Sequence, residues 1–288
     1  MALNQVYNGN SIMEVIEILG KFGKDAKIIA GGTDIVIALK DKKISPKVLI
    51  DITKIRDLKS IEDDGDYITL GAGVTFTEIV ENPLFQGNLQ GLYKACRMVG
   101  SPQIRNKGTI GGNIANGSAA ADGVPPLIAL GTTVKLLSIQ GGREIALEDY
   151  YYNQIRENEL ITCIKFKKPK ENEILTFAKL GLRKALAISR LTTAALIEFN
   201  HEDIIESVKV ASGALGKYPM REIEVENYLI GKKIEEETID GAIETIQKSM
   251  DERLKGRSTL PYKRVAIAGI LRETLESAIE MRSGVAAW

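Results

Sequence analysis

One stretch near the start of the chain does most to limit its fold. Lys27-Ile28-Ile29-Ala30 is a short apolar run that ends in Gly31-Gly32. Thr33-Asp34 then open a helical stretch from Ile35 to Lys40, and Val48-Leu49-Ile50 is a second apolar run. Strand, glycine turn, helix and strand in such short order predict a small parallel α/β lobe, because two adjacent parallel strands need a crossover between them. Ahead of this unit, Ser11 and Glu14 have the spacing of a capping box. Ile12, Val15, Ile16, Leu19 and Phe22 recur at helical period, and Gly23 stops the helix.

The pattern then changes. Tyr67 to Leu70 reads as a strand running into Gly71-Ala72-Gly73, and Thr75 to Val80 and Leu89 to Val99 read as helices. Pro125-Pro126 suits a first helical turn, where a missing amide costs nothing. Val134 to Ser138, Glu144 to Leu147 and Leu160 to Phe166 read as strands, which predicts a mixed or antiparallel sheet. Beyond Lys167-Lys168-Pro169-Lys170, strands over Leu175 to Leu180, Thr193 to Phe199 and Ile204 to Ala211 precede helices from Arg221, Thr238 and Pro261. The predicted class is α+β in three parts, residues 1–55, 56–170 and 171–288.

Composition excludes several chemistries. The 288 residues hold 38 Lys+Arg, 38 Asp+Glu, one His and two Cys. A single histidine, His201, builds no multi-His metal site, and its surroundings, Asn200-His201-Glu202-Asp203, read as a hairpin turn. Cys96 and Cys163 cannot supply the four thiolates of an iron–sulfur cluster and do not make a disulfide scaffold. They read as buried apolar residues in a reducing compartment. Zero formal net charge gives no overall pull toward nucleic acid or an anionic membrane. No run approaches the length of a membrane span, and the first residues lack a secretory pattern. The expectation is a soluble cytoplasmic protein whose redox chemistry, where it has any, belongs to a bound cofactor.

Two turns have the makings of a ligand cradle: Ala30-Gly31-Gly32-Thr33-Asp34 and Thr109-Ile110-Gly111-Gly112-Asn113. Paired glycines let the backbone approach a ligand closely, and successive amides at a turn form a concave anion site. Thr33, Thr109 and Asn113 add short polar side chains. Gly-Gly pairs are also the ordinary means of turning a chain. Neither turn follows the dinucleotide fingerprint or the Walker pattern, which argues against a Rossmann or P-loop enzyme.

In this order, the first turn followed about seventy residues later by Ser101-Pro102-Gln103-Ile104-Arg105-Asn106 and Gly108-Thr109-Ile110-Gly111-Gly112-Asn113, the chain resembles the FAD-binding subunit of molybdenum-containing hydroxylases. That family includes the flavin subunits of xanthine dehydrogenase, nicotinate dehydrogenase and carbon monoxide dehydrogenase. The resemblance spans essentially the whole chain. It implies a two-lobed FAD-binding fold of the vanillyl-alcohol-oxidase type plus a C-terminal α+β domain. It also implies that Ile29, Ala30, Gly31, Gly32, Thr33, Asp34 and Ile35 wrap the FAD pyrophosphate from the first lobe, and that Thr109, Gly111, Gly112 and Asn113 do so from the second. Asn116 and Asp122 match polar contacts to the cofactor. Leu160 and Ile161 match the strand that meets the flavin or ribityl chain, and Lys179 matches a lysine at the isoalloxazine edge.

Each of these has a plainer alternative. Asp122 suits the cap of the Pro125 helix, Lys179 a solvated strand position, and Leu160 and Ile161 the core. Arg183, Lys184 and Arg190 form either a solvated basic face or an attraction for NAD or an acidic partner. Many relatives carry proline after the serine matching Ser118, where this chain has Ala119.

The implied function is electron transfer, most of all in a xanthine/purine dehydrogenase, with the flavoprotein of nicotinate or another N-heterocycle dehydrogenase as the alternative. An iron–sulfur subunit with 2Fe–2S clusters passes electrons to the FAD, NAD⁺ accepts them, and a molybdenum-cofactor subunit carries out hydroxylation. The expected assembly is a dimer of heterotrimers. A self-sufficient flavin oxidoreductase would need its own acid or base, for which the sequence offers no candidate. A non-catalytic FAD-binding module would keep the turns alone.

Overall fold

The computed structural model describes residues 3, 5–152, 158–181 and 188–284. They fall into two compact units: Met1–Glu78 with Pro102–Gly117 and Thr132–Lys168, and Ile79–Ser101 with Ser118–Gly131 and Pro169–Trp288.

The first unit holds two sheets. Gln5–Asn8 and Ala26–Ile29 flank Val48–Asp51 in a three-stranded parallel sheet, as the strand–helix–strand pattern predicted. The strand Gln5–Asn8 was not foreseen, because its alternation is too short to stand out and its residues are mostly exposed. The helix Ile12–Phe22 begins at Ser11, whose Oγ accepts from Glu14 N at 3.2 Å, while Glu14 reaches back to Asn10 N at 2.9 Å. It ends at Gly23, whose φ of 54° suits glycine. Its buried face, Val15 and Leu19, shares a core with Val48, Ile50, Ile55 and Leu160. The second sheet is antiparallel throughout, in the order Ile61–Asp63, Tyr67–Gly71, Leu160–Lys167, Thr133–Ser138, Gly141–Ala146.

The second unit is built on a four-stranded antiparallel sheet ordered Met220–Arg221, Ile205–Gly213, Ser189–Phe199, Glu173–Gly181. Residues of alternate parity on the long strand serve its two faces, as the pleat requires. Leu191, Ala195, Ile197 and Phe199 join Ile267, Leu271 and Leu275 of the helix Leu260–Arg282 and Ile243 and Ile246 of the helix Glu236–Arg253. The opposite face carries the wholly buried helix Val124–Ala129. The helix Gln90–Arg97 lies so close to Glu173–Gly181 that a Cβ on Gly91 would stand 2.8 Å from Leu175 O. His201 sits in the turn between Ser189–Phe199 and Ile205–Gly213, as expected. No helix among the described residues is long and apolar enough to cross a membrane.

Leu271 is fully buried at the centre of the second unit's core. Leu271→Ala is expected to destabilise the protein by about 2–5 kcal/mol, read as a shift in the urea midpoint at unchanged slope.

Candidate functional site

In the first unit the two glycine turns meet. A Cβ on Gly31 would lie 1.7 Å from Lys107 O and 2.9 Å from Gly108 N, so only glycine lets the first turn rest on the second. Gly32 has a φ of 73° and supplies the reversal into the helix Ile35–Lys40. Val36 N donates to Gly32 O at 3.1 Å, and the amides ahead of it precede any intrahelical acceptor. Thr33 Oγ1 donates to Asp34 Oδ2 at 3.1 Å, which tethers both side chains at the outer edge of the turn.

The second turn opens the helix Ile110–Asn116, and its amides are already satisfied. Ile110 N donates to Val74 O at 2.9 Å, Gly111 N to Ala72 O at 2.9 Å, Gly112 N to Thr109 Oγ1 at 3.0 Å and Asn113 N to Thr109 O at 2.9 Å. Ala72 N in turn donates to Thr162 O at 2.9 Å, which ties the turn to the strand Leu160–Lys167. Sequence reasoning expected this turn to present a row of amides to an anion, but the structure gives those donors to the protein. What remains for a ligand is the Thr109 hydroxyl proton, the Asn113 side chain and the bare Cα of Gly112, where a Cβ would meet only Thr109 Oγ1. Gly111 has a different task, since a Cβ there would lie 2.5 Å from Ala72 Cβ. Tyr151 Oη donates to Ile114 O at 3.1 Å and steadies the helix from the far side. Leu160 packs in the core that also takes in Ala30, Ile161 is buried beside it, and Asn116 is exposed on the last turn of the helix.

Asp122 and Lys179 lie in the second unit, and they form a pair. Lys179 Nζ donates to Asp122 Oδ2 at 2.6 Å and to Met98 O at 2.9 Å, with the two side chains 4% and 8% exposed. Ser189 Oγ donates to the other carboxylate oxygen. The plain alternatives of a helix cap and a solvated lysine both fail here: the helix Val124–Ala129 starts at Gly123 with no side-chain cap, and Lys179 is enclosed. Burial raises the Asp122 pKa from the usual carboxylate value, against the lowering effect of the Lys179 charge and the Lys179 and Ser189 hydrogen bonds. The Cys96 thiol, fully buried, is pushed up by burial and by the nearby Asp122 charge, which leaves it an inert core residue. Ser189 was missed because nothing near it in sequence marks it; only the fold brings it to Asp122. Ala119 accepts from Ala214 N through its carbonyl at 2.6 Å. Arg183 and Lys184 lie outside the described residues, and Arg190 is exposed.

The donor set suits a flavin dinucleotide. Asn113 Oδ1 is buried without a hydrogen-bond partner among the described residues, and a sugar or ribityl hydroxyl would satisfy it. Residues 2–169 match the family described as the FAD binding domain in molybdopterin dehydrogenase, and residues 176–278 match the CO dehydrogenase flavoprotein C-terminal domain. The chain belongs to that family. It is an FAD subunit of the molybdenum hydroxylase type, a subunit of an oxidoreductase. It is 32% identical over 264 residues to the nicotinate dehydrogenase FAD-subunit of Eubacterium barkeri, covering 89% of each chain. Identity to the xanthine dehydrogenase FAD-binding subunit of Escherichia coli O157:H7 is 25% over 266 residues, 90% of each chain. Reconstituted CO dehydrogenase from Oligotropha carboxidovorans matches with a TM-score of 0.88 at 26% identity, over 95% of this chain and 96% of that one. The fold is thus α+β, with the FAD-binding architecture and C-terminal domain of CO dehydrogenase flavoproteins.

Lys179→Met would leave Asp122 buried with only Ser189, at an expected cost of about 3–5 kcal/mol. The sign follows from the raised folded-state pKa. The penalty is absent below the unfolded carboxyl value of about 3.9 and grows as pH rises above it. Adding Asp122→Asn should remove that pH dependence, checked by urea titrations from pH 3 to pH 8.

Proposed function

We propose that this chain carries the flavin of an N-heterocycle dehydrogenase, taking electrons from the 2Fe–2S clusters of an iron–sulfur subunit and delivering them to NAD⁺. A third subunit with the molybdenum cofactor hydroxylates the substrate, and the whole forms a dimer of heterotrimers in the cytoplasm. Residues 1–55 and 56–170 make the two FAD-binding lobes and residues 171–288 the third domain. The observation that carries the substrate class is the likeness, over 89% of both chains, to the nicotinate dehydrogenase FAD-subunit. It favours a nicotinate-type ring over the purine expected from the sequence, because identity to the xanthine dehydrogenase subunit is lower, at 25%.

The chain's own residues have separable tasks in this reading. The turn from Ile29 to Ile35 offers backbone donors to the FAD pyrophosphate. Thr109 and Asn113 offer side-chain hydrogen bonds, and Gly112 leaves the room for them to be reached. Gly111 holds the second turn to Ala72, and Asn116 lies at the exposed end of the same helix. Leu160 and Ile161 present an apolar surface to the ribityl or ring portion. Both Asp122 oxygens are already engaged, so its role is to hold Lys179 in place. Lys179 has one proton left after Asp122 and Met98, and it directs a fixed positive charge to the ring edge. Bound FAD would supply the conversion between single-electron supply and two-electron delivery that no side chain here provides.

The purified chain should be yellow. Gly112→Val should abolish FAD retention while circular dichroism shows the chain still folded; a colourless wild-type protein that takes up no FAD would sink the proposal. The isolated chain should reduce dyes with NADH yet hydroxylate neither nicotinate nor xanthine. The native complex should contain molybdenum and iron, and turn over nicotinate in preference to xanthine.

A further inference from the structure

Most described arginines of the second unit are ion-paired, whereas several of its lysines, Lys209, Lys217, Lys232, Lys233 and Lys255 among them, have no carboxylate within 4.0 Å among the described residues. Of the arginines described from residue 188 onward, Arg221, Arg253, Arg264, Arg272 and Arg282 each have a carboxylate within 4.0 Å. Arg190 and Arg257 have none, and neither does Lys263, among the described residues.

The fold sets these three cations at one end of the sheet. Gly213 pairs with Thr192, so Ala214 leaves the strand alongside the start of Ser189–Phe199, where Arg190 stands exposed. Ala214 adopts a φ of 62°, and its carbonyl accepts a hydrogen bond from Lys263 Nζ. Thr193 Oγ1 donates to Ile270 O at 3.2 Å, which aligns the helix Leu260–Arg282 with that strand and brings Lys263, two turns earlier, to the same end. Arg257 sits in the turn feeding the helix, where Leu260 N donates to its carbonyl at 3.0 Å. Burial of Lys263 and repulsion from Arg257 and Arg190 together lower its proton affinity. Lys263 also lies in the first turn of a 23-residue helix, the end at which the backbone dipole disfavours a cation.

Like charges gathered without a counter-charge repel one another, and a polyvalent anion removes that repulsion. Two guanidinium forks and an ammonium match phosphate oxygens in number and geometry. Ser189, which holds Asp122 and through it Lys179, immediately precedes Arg190 in the chain. A nicotinamide presented at the ring edge trails its phosphates away from that edge. We propose that Arg190, Arg257 and Lys263 bind the phosphates of the dinucleotide acceptor; the proposal rests on the reading of Lys179 at the flavin edge and NAD⁺ as acceptor.

The test uses the FAD-loaded full chain and the double variant Arg190→Gln/Arg257→Gln, whose side chains support no other described contact. The control removes two positive charges elsewhere on the unit, Lys233→Gln/Lys248→Gln. Inorganic pyrophosphate should bind the wild type and the control in calorimetry, and bind the double variant roughly tenfold more weakly or worse. Half-saturation of flavin bleaching by NADH should rise by a similar factor, with FAD content and the rate at saturating NADH unchanged. Absent pyrophosphate binding in the wild type, equal binding by the double variant, or equal weakening in the control would each overturn the proposal. So would a variant that binds pyrophosphate and NADH normally but loses the iron–sulfur subunit, because the patch would then serve an acidic protein. A wild type that holds no FAD fails the earlier reading instead, and the pyrophosphate arm still decides this one.

Discussion

The carbonyl oxygen of Lys107 occupies the space where a side chain at residue 31 would begin. That one exclusion determines how the first unit presents its polar groups. With hydrogen at Gly31 the first turn can lie against the second, and the chain from Ala72 to Phe76 can stitch the second turn in place through Ile110 N, Gly111 N and Phe76 N. Each of these bonds replaces a solvated amide with a buried pair, for a modest net gain each. Together they fix the Thr109 and Asn113 side chains to a rigid frame. A dinucleotide needs that rigidity, because ordering a loose loop on binding would subtract from affinity.

The second unit solves a different problem, the burial of a charge. Lys179 and Asp122 are both enclosed, and removing two ions from water is repaid only where geometry and extra hydrogen bonds are good. Met98 O and Ser189 Oγ are those extra partners. Replacing a buried ion pair by an apolar pair of similar volume is often neutral or stabilising. Stability alone gives little reason to keep ions at such a place, and a fixed charge there suits the role proposed for Lys179.

Much of this was legible in the chain and some of it was not, for physical reasons. The capping of Ile12–Phe22 by Ser11 and Glu14 is local, and local hydrogen bonds leave a signature in spacing. The parallel sheet followed from the strand–turn–helix–strand order, whereas the strand Gln5–Asn8 depends on its partner Val48–Asp51 for its existence. Gly31 and Gly111 looked like the same device in sequence. The structure separates them by what each would strike, Lys107 O for one and Ala72 for the other. The second turn looked like an anion nest because sequence shows amides and not their acceptors; Val74 O and Ala72 O come from about 36 to 39 residues away. Ser189 and Met98 carry no signal at all, because a hydroxyl or a carbonyl becomes part of a site only when the fold closes around it.

A formal net charge of zero first excluded nucleic acid and membranes as partners, and that inference holds for the sum alone. Balance over a whole chain says nothing about balance over a few residues. Most arginines described from residue 188 onward are neutralised by carboxylates a few ångströms away, and such pairs are nearly invisible beyond a Debye length. Arg190, Arg257 and Lys263 have no such partner among the described residues, and the two guanidinium charges act on Lys263. A field of this kind acts on an approaching anion only if it is not cancelled at the surface. In the proposed reading, a subunit that borrows every redox group it uses has two electrostatic tasks left: to hold Lys179 beside the flavin, and to leave Arg190, Arg257 and Lys263 open to the phosphates of the acceptor.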